Sequence, residues 1–137
     1  MPTREINWDR SMSVGVRQID DQHRRLLEMC SSLSQAMIES RGQDELVKLM
    51  HNLVNYSLEH FTTEEKLMEQ ISYPELEQHR SKHQEFKTRI LEFNDEHKKG
   101  NVFLTSQVLA FLRDWIINHI LDEDFRCKPH YEKAGLT

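Results

Sequence analysis

Glycine and proline are scarce in this sequence, 4 and 3 of 137 residues. So little punctuation excludes the frequent tight turns of an all-β domain and implies long, uninterrupted elements. Only two cysteines occur, Cys30 and Cys127, too few for a disulfide framework and in keeping with a reducing compartment. No apolar run approaches a membrane span, and the opening Met-Pro-Thr-Arg-Glu-Ile lacks the apolar stretch of a secretory signal. Basic clusters are missing as well, and a net charge of −5 argues against nucleic acid as a partner. These absences together lead to the expectation of one cytoplasmic, all-helical domain.

Apolar residues then recur at helical spacing in four stretches. Residues 1–18, with Trp8, Val14 and Val16, hold neither period and read as an irregular N-terminal arm. A first helix is expected from an N-cap at Asp20 or Asp21, through Ile19, His23, Leu26, Leu27, Cys30, Leu33 and Met37, to a break closed by Gly42. The second, starting near Asp44, carries Leu46, Leu49, Met50, Leu53, Ser57, His60, Glu64, Leu67 and Ile71. The third, after Pro74, carries Leu76, His79, His83, Phe86, Ile90, Phe93 and His97, and closes at Gly100-Asn101. The fourth carries Leu104, Val108, Phe111, Leu112, Trp115 and His119, and residues 124–137 form a polar C-terminal tail. Four such helices with short links describe an up-down-up-down antiparallel bundle over residues 19–123, about 30 Å long.

Eight histidines are many for this length, and their positions carry the chemistry. His60 and Glu64 are four residues apart, as are His79 and His83, so each pair stands on one face of its helix, about 40° apart around the axis. His23 lies near the start of the first helix and His119 near the end of the fourth. In an antiparallel bundle the starts of helices one and three and the ends of two and four share one end, so all these side chains meet in a single inward layer. Burying so many polar groups without a strong partner costs about 1–3 kcal/mol each, which makes a metal the better explanation than a network of satisfied core histidines. His51 faces away by about 180°, His97 lies about 21 Å along the axis from His83, and His130 falls in the tail as a solvated residue. A carboxylate after His119 is offered by Asp122, Glu123 and Asp124. Regular helical spacing favours Asp122 or Glu123, since Asp124 is rotated about 140° from His119.

His23 after Asp-Asp-Gln, His60-x-x-x-Glu64, His79-x-x-x-His83 and His119-x-x-x-x-Asp124 together resemble the hemerythrin family, specifically its bacterial single-domain members. Trp8, Val14-Gly15-Val16 and the run from Arg113 to Ile120 extend the likeness to nearly the whole chain. The resemblance implies a non-haem centre of two iron ions with a solvent-derived oxo or hydroxo bridge. It places His79, His83 and His119 on one iron, His23 and His60 on the other, and Glu64 and Asp124 between them. It selects Asp124 against regular helix geometry, so the fourth helix is expected to widen or end between His119 and Asp124.

Two roughly octahedral irons offer about twelve positions, and the implied ligands and bridge fill all but one, on the His23/His60 iron. An open position among apolar residues that include Leu26, Leu27 and Trp115 suits O2. The Glu-x-x-His pairs of ferritin-like di-iron bundles are absent from the sequence. Reversible O2 binding, by a protein that is not an enzyme, is what the resemblance implies and is the expectation. The alternatives are an O2- or redox-sensing module and a di-iron peroxidase or oxidase. An O2-consuming partner enzyme or a signalling domain stays open as a partner. Cys30 reads as core filler, and Cys127, in the tail, as a residue that could pair between chains.

Overall fold

A computed structural model describes residues 8–40, 43–98 and 104–137, with the side chains of residues 43, 94, 97, 98, 104 and 105 outside that set. The described residues form four long helices: α1 (Arg17–Ile38), α2 (Gln43–Gln70), α3 (Leu76–Lys98) and α4 (Leu104–Asn118). A short α5 (Lys128–Lys133) follows after two distorted turns. Each long helix packs on the next and α4 returns to α1, the ring of contacts of the expected bundle. The caps expected at Gly42 and at Gly100-Asn101 lie outside the described residues, as do the side chains of His97 and Leu104.

Helix α1 starts earlier than either aspartate suggested. Its N-cap is Val16, which makes no side-chain capping bond. Asp20 sits in the first turn and reaches back instead, accepting from the Ser13 hydroxyl at 2.5 Å and the Val14 amide at 2.9 Å. Burial decides the start: Val16 and Ile19 are both inside, so the helix begins where they can dock, and Asp20 fastens the arm to it. At the other end Ser40 takes the left-handed conformation, φ 54°.

The α2–α3 hairpin closes in the same way. Ser72 is left-handed (φ 54°), the Ser72 amide donates to the Glu69 carbonyl, and the Tyr73 amide donates to the Met68 carbonyl at 2.9 Å. This is a Schellman closure with serine in the place glycine usually takes, and the accompanying contact between Met68 and Tyr73 is buried. Pro74 then bars α2 from continuing.

Two apolar clusters result. The larger fills the long part of the bundle with Leu26, Leu33, Leu53, Phe61, Phe86, Leu112 and Ile116 among others. The smaller joins Val14, Val16, Ile19, Met68, Tyr73, Cys127 and Tyr131. The C-terminal segment therefore differs from the polar tail that its composition suggested. Cys127 and Tyr131 are fully buried there, and Cys127 is a free thiol with no surface from which to pair with another chain. Cys30 is buried in the larger cluster, where loss of hydration pushes its thiol up to about 12. No described helix is long and apolar enough to cross a membrane.

Candidate metal centre

Between the two clusters lies one polar layer. His23, His60, Glu64, His79, His83, His119 and Asp124 are all buried, none more than 4% exposed. Along α1 and α2 the order is the same. Ile19 in α1 precedes His23 and belongs to the small cluster, whereas Leu26 and Leu27 follow it into the large one. In α2 the large-cluster residues Leu53 and Phe61 give way to Glu64 and then to Met68 of the small cluster.

The last donor arrives through a change of helix type. Residues His119–Asp124 form a π-helical turn, bracketed by α4 and a 3-10 turn over Phe125–Cys127. Hydrogen bonding from i to i+5 widens the turn, so residues five apart come onto one face. His119 Nε2 and Asp124 Oδ1 are thus 2.9 Å apart, while Asp122 is exposed and Glu123 half-buried. The loosening expected from the five-residue spacing is what the chain adopts.

The carboxylates stand at the middle of the layer. Glu64 contacts His60 through Oε1 and His79 through Oε2 at 2.7 Å, with His83 3.9 Å from Oε2. Asp124 contacts His23 through Oδ2 at 2.7 Å and His79 through Oδ1 at 3.2 Å. Two groups of four converging donors share these residues: Glu64, His79, His83 and His119 in one, and His23, His60, Glu64 and Asp124 in the other. Within each group the donor atoms lie within 4.8 Å of one another.

Charge in this layer is unevenly held. Burial disfavours imidazolium at His60, but Glu64 and Asp124 outweigh it and raise the group to about 9. Burial is likewise outweighed at His79, raised to about 10, and at His119, raised to about 9, by the same two carboxylates. At His83 burial prevails and lowers the group to about 4. Both carboxylates are held below their ordinary range by the imidazoles, against their own burial.

The donor set suits metal better than protons. His60 Nε2, Glu64 Oε1 and Asp124 Oδ1 are buried and, although each stands close to an opposite partner, none makes a well-aligned hydrogen bond, and His83 Nε2 and His119 Nε2 face one another at 3.2 Å. Orphaned acceptors and two ring nitrogens aimed at one space are costly alone and satisfied together by a cation.

Several participants have no signal in the ligand spacing. Gln22 Oε1 lies 2.6 Å from His60 Nδ1, and Glu65 Oε2 lies 2.9 Å from His83 Nδ1. Each neighbours a donor residue in sequence, so it falls off the inward stripe. Phe61 is hidden similarly behind His60, yet its ring stacks on His83 at 4.0 Å. Trp115 stacks on His119 at 4.5 Å, on the three-histidine side, and lines an open groove of about 320 Å³ with Lys82, Glu85 and Asp122. His51 is exposed as expected. His130 is half-buried rather than solvated, its ring 4.8 Å from that of Tyr73.

Residues 14–131 match the family model described as the hemerythrin HHE cation binding domain. The chain belongs to the hemerythrin family. Among its hemerythrin relatives, a bacteriohemerythrin of Stenotrophomonas maltophilia is 31% identical over 117 residues, 85% of this chain and 75% of the relative. A myohemerythrin of Theromyzon tessulatum is 27% identical over 121 residues, 88% of this chain and 89% of the other. A crystal structure of wild-type hemerythrin superposes with a TM-score of 0.80 over 92% of this chain and 97% of its own, at 24% identity, which supports the fold.

Proposed function

We propose that this protein binds O2 reversibly at a non-haem di-iron centre. The observation that carries the reading is the single buried layer of five imidazoles and two carboxylates, with lone pairs converging from α1, α2, α3 and the π-helical turn that follows α4. His79, His83 and His119 would hold one iron, His23 and His60 the other. Glu64 and Asp124 would span both, since each offers oxygens to histidines of the two groups. When bound, the iron pair supplies the electrons that make O2 binding tight yet reversible.

The chain's own residues do the rest. Metal uptake displaces the protons that Glu64 and Asp124 hold on His60, His79 and His119, so metal affinity falls as pH drops. The ligand count leaves one position on the His23/His60 side. Leu26 and Leu27 stand on the same face of α1 one turn beyond His23, both buried, and keep water from that side. Trp115 and Phe61 cover the rings of His119 and His83. An apolar, nearly dry space favours a small neutral ligand over a charged one.

The test is to reduce the iron-loaded protein, expose it to O2, then remove the O2 under argon. An oxygenated spectrum that appears and then reverts to the reduced one is the expected result. Irreversible consumption of O2, with H2O2 released or a co-substrate oxidised, would replace the carrier reading with an oxidase or peroxidase.

A further inference from the structure

Two of the five imidazoles are backed by hydrogen-bonded chains of unlike charge. Behind His60, the Thr63 hydroxyl donates to the Glu59 carbonyl at 3.2 Å and so presents a lone pair to Gln22. Gln22 Nε2 donates to that oxygen at 3.2 Å, which turns Gln22 Oε1 toward His60 Nδ1 at 2.6 Å. An amide oxygen only accepts, so Nδ1 carries the hydrogen and Nε2 turns its lone pair into the layer. Behind His83 the same orientation is reached with a carboxylate. Nδ1 donates to Glu65 Oε2 at 2.9 Å, and Glu65 Oε1 accepts from Arg80 Nε at 3.2 Å. Glu65 is 24% exposed, so its charge is only partly screened by solvent.

The two anchors differ by one formal charge. A carboxylate partner makes an imidazole a stronger donor than an amide partner does. Negative charge behind a ligand also stabilises the more oxidised metal. We propose that Glu65 and Gln22 are positioning residues that make the two metal positions electronically unequal, Glu65 through His83 favouring Fe(III) on the three-histidine side and Gln22 through His60 leaving the two-histidine side easier to reduce. The first electron added to an oxidised pair then goes to the iron held by His23 and His60, where the ligand count leaves a position for O2. Arg80 offsets part of the Glu65 charge and limits the inequality. This inference rests on the di-iron reading above.

The experiment compares the unaltered protein with Glu65→Gln, Arg80→Gln and Gln22→Glu. Titration of each metal-free protein with cobalt(II) counts the sites without oxygen chemistry. Fewer than two per chain in the unaltered protein would overturn the di-iron reading itself. The two one-electron steps of the iron-loaded proteins are then measured by spectroelectrochemistry, with electrons supplied by the electrode through mediators. Glu65→Gln is expected to raise the lower-potential step by about tenfold in its reduction constant, about 59 mV. Arg80→Gln should lower that same step, and Gln22→Glu should lower the higher one. If Glu65→Gln fails to hold two metals, Arg80→Gln carries the test, because the Arg80 side chain pairs with Glu65, Glu69 and Glu77 and with none of the proposed ligands. Two metals bound with both steps unmoved would overturn the proposal. So would shifts of one sign in Glu65→Gln and Arg80→Gln, the mark of a contact that acts only by shape.

Discussion

The two apolar clusters that flank the polar layer are made by different means. The larger draws on all four long helices, with residues such as Leu26, Cys30 and Leu33 of α1 and Val108, Leu112 and Ile116 of α4 recurring at helical spacing. The smaller has little periodicity: it is tied together from the arm (Val14, Val16), the α2–α3 hairpin (Met68, Tyr73) and the C-terminal segment (Cys127, Tyr131). Many helical contacts share the load in the first, where Phe61 also stacks on His83. In the second, Cys127 lies three residues beyond Asp124, so the same packing that buries the chain's end also holds the widened turn that delivers Asp124. One cluster supports the bundle. The other supports the centre.

Removing the layer that separates the clusters should have the largest effect. His79→Ala and His83→Ala are expected to stay helical but lose iron and melt lower, read by metal analysis and thermal unfolding. Chelation of the unaltered protein should lower the melting temperature in the same direction, since a ligand present at a thousandfold excess over its Kd contributes about 4 kcal/mol. Unchanged iron content in both variants would break the account of the layer.

Tyr131→Ala and Leu53→Ala test the comparison itself. Each removes a fully buried side chain, from the small and the large cluster respectively, and each should cost about 3 kcal/mol in urea unfolding. Only Tyr131→Ala should also loosen iron, because only it undermines the turn holding Asp124. Equal iron retention at matched stability loss would show that the clusters do not differ in this way.

A smaller effect is expected from Leu27→Gln, which brings a polar group into the large cluster one turn from His23. It should keep both irons yet decay from the oxygenated to the oxidised form severalfold faster, followed by absorbance under air. The smallest is the control. His51 is exposed, so His51→Ala should change stability by less than about 0.5 kcal/mol and leave iron content as it was.

What could be read from sequence follows the same division. His60 with Glu64 and His79 with His83 share a helical face because four residues nearly complete a turn, and topology then brings His23 and His119 to their level. Asp124 could not be reached that way, since a regular helix turns it aside. The five-residue gap was a signal only beside the family resemblance, and the π-helical turn supplies the physical reason. The start of α1 was missed because Asp20 looks like a cap, while buried Val16 and Ile19 set the beginning. Residues 124–137 look polar in composition, yet two of them, Cys127 and Tyr131, complete a core whose other members come from the arm, the first turn of α1 and the hairpin, far away in sequence. Gln22 and Glu65 escaped because an anchor that points outward from a ligand leaves no periodic trace.

The central claim is that this layer is one site for two metals, and the most direct measurement is a titration of the metal-free protein with iron(II) under argon. Binding that saturates at two irons per chain, with the melting temperature rising until that point, is the expected result. Saturation at one iron, or iron bound with no change in melting temperature, would contradict it.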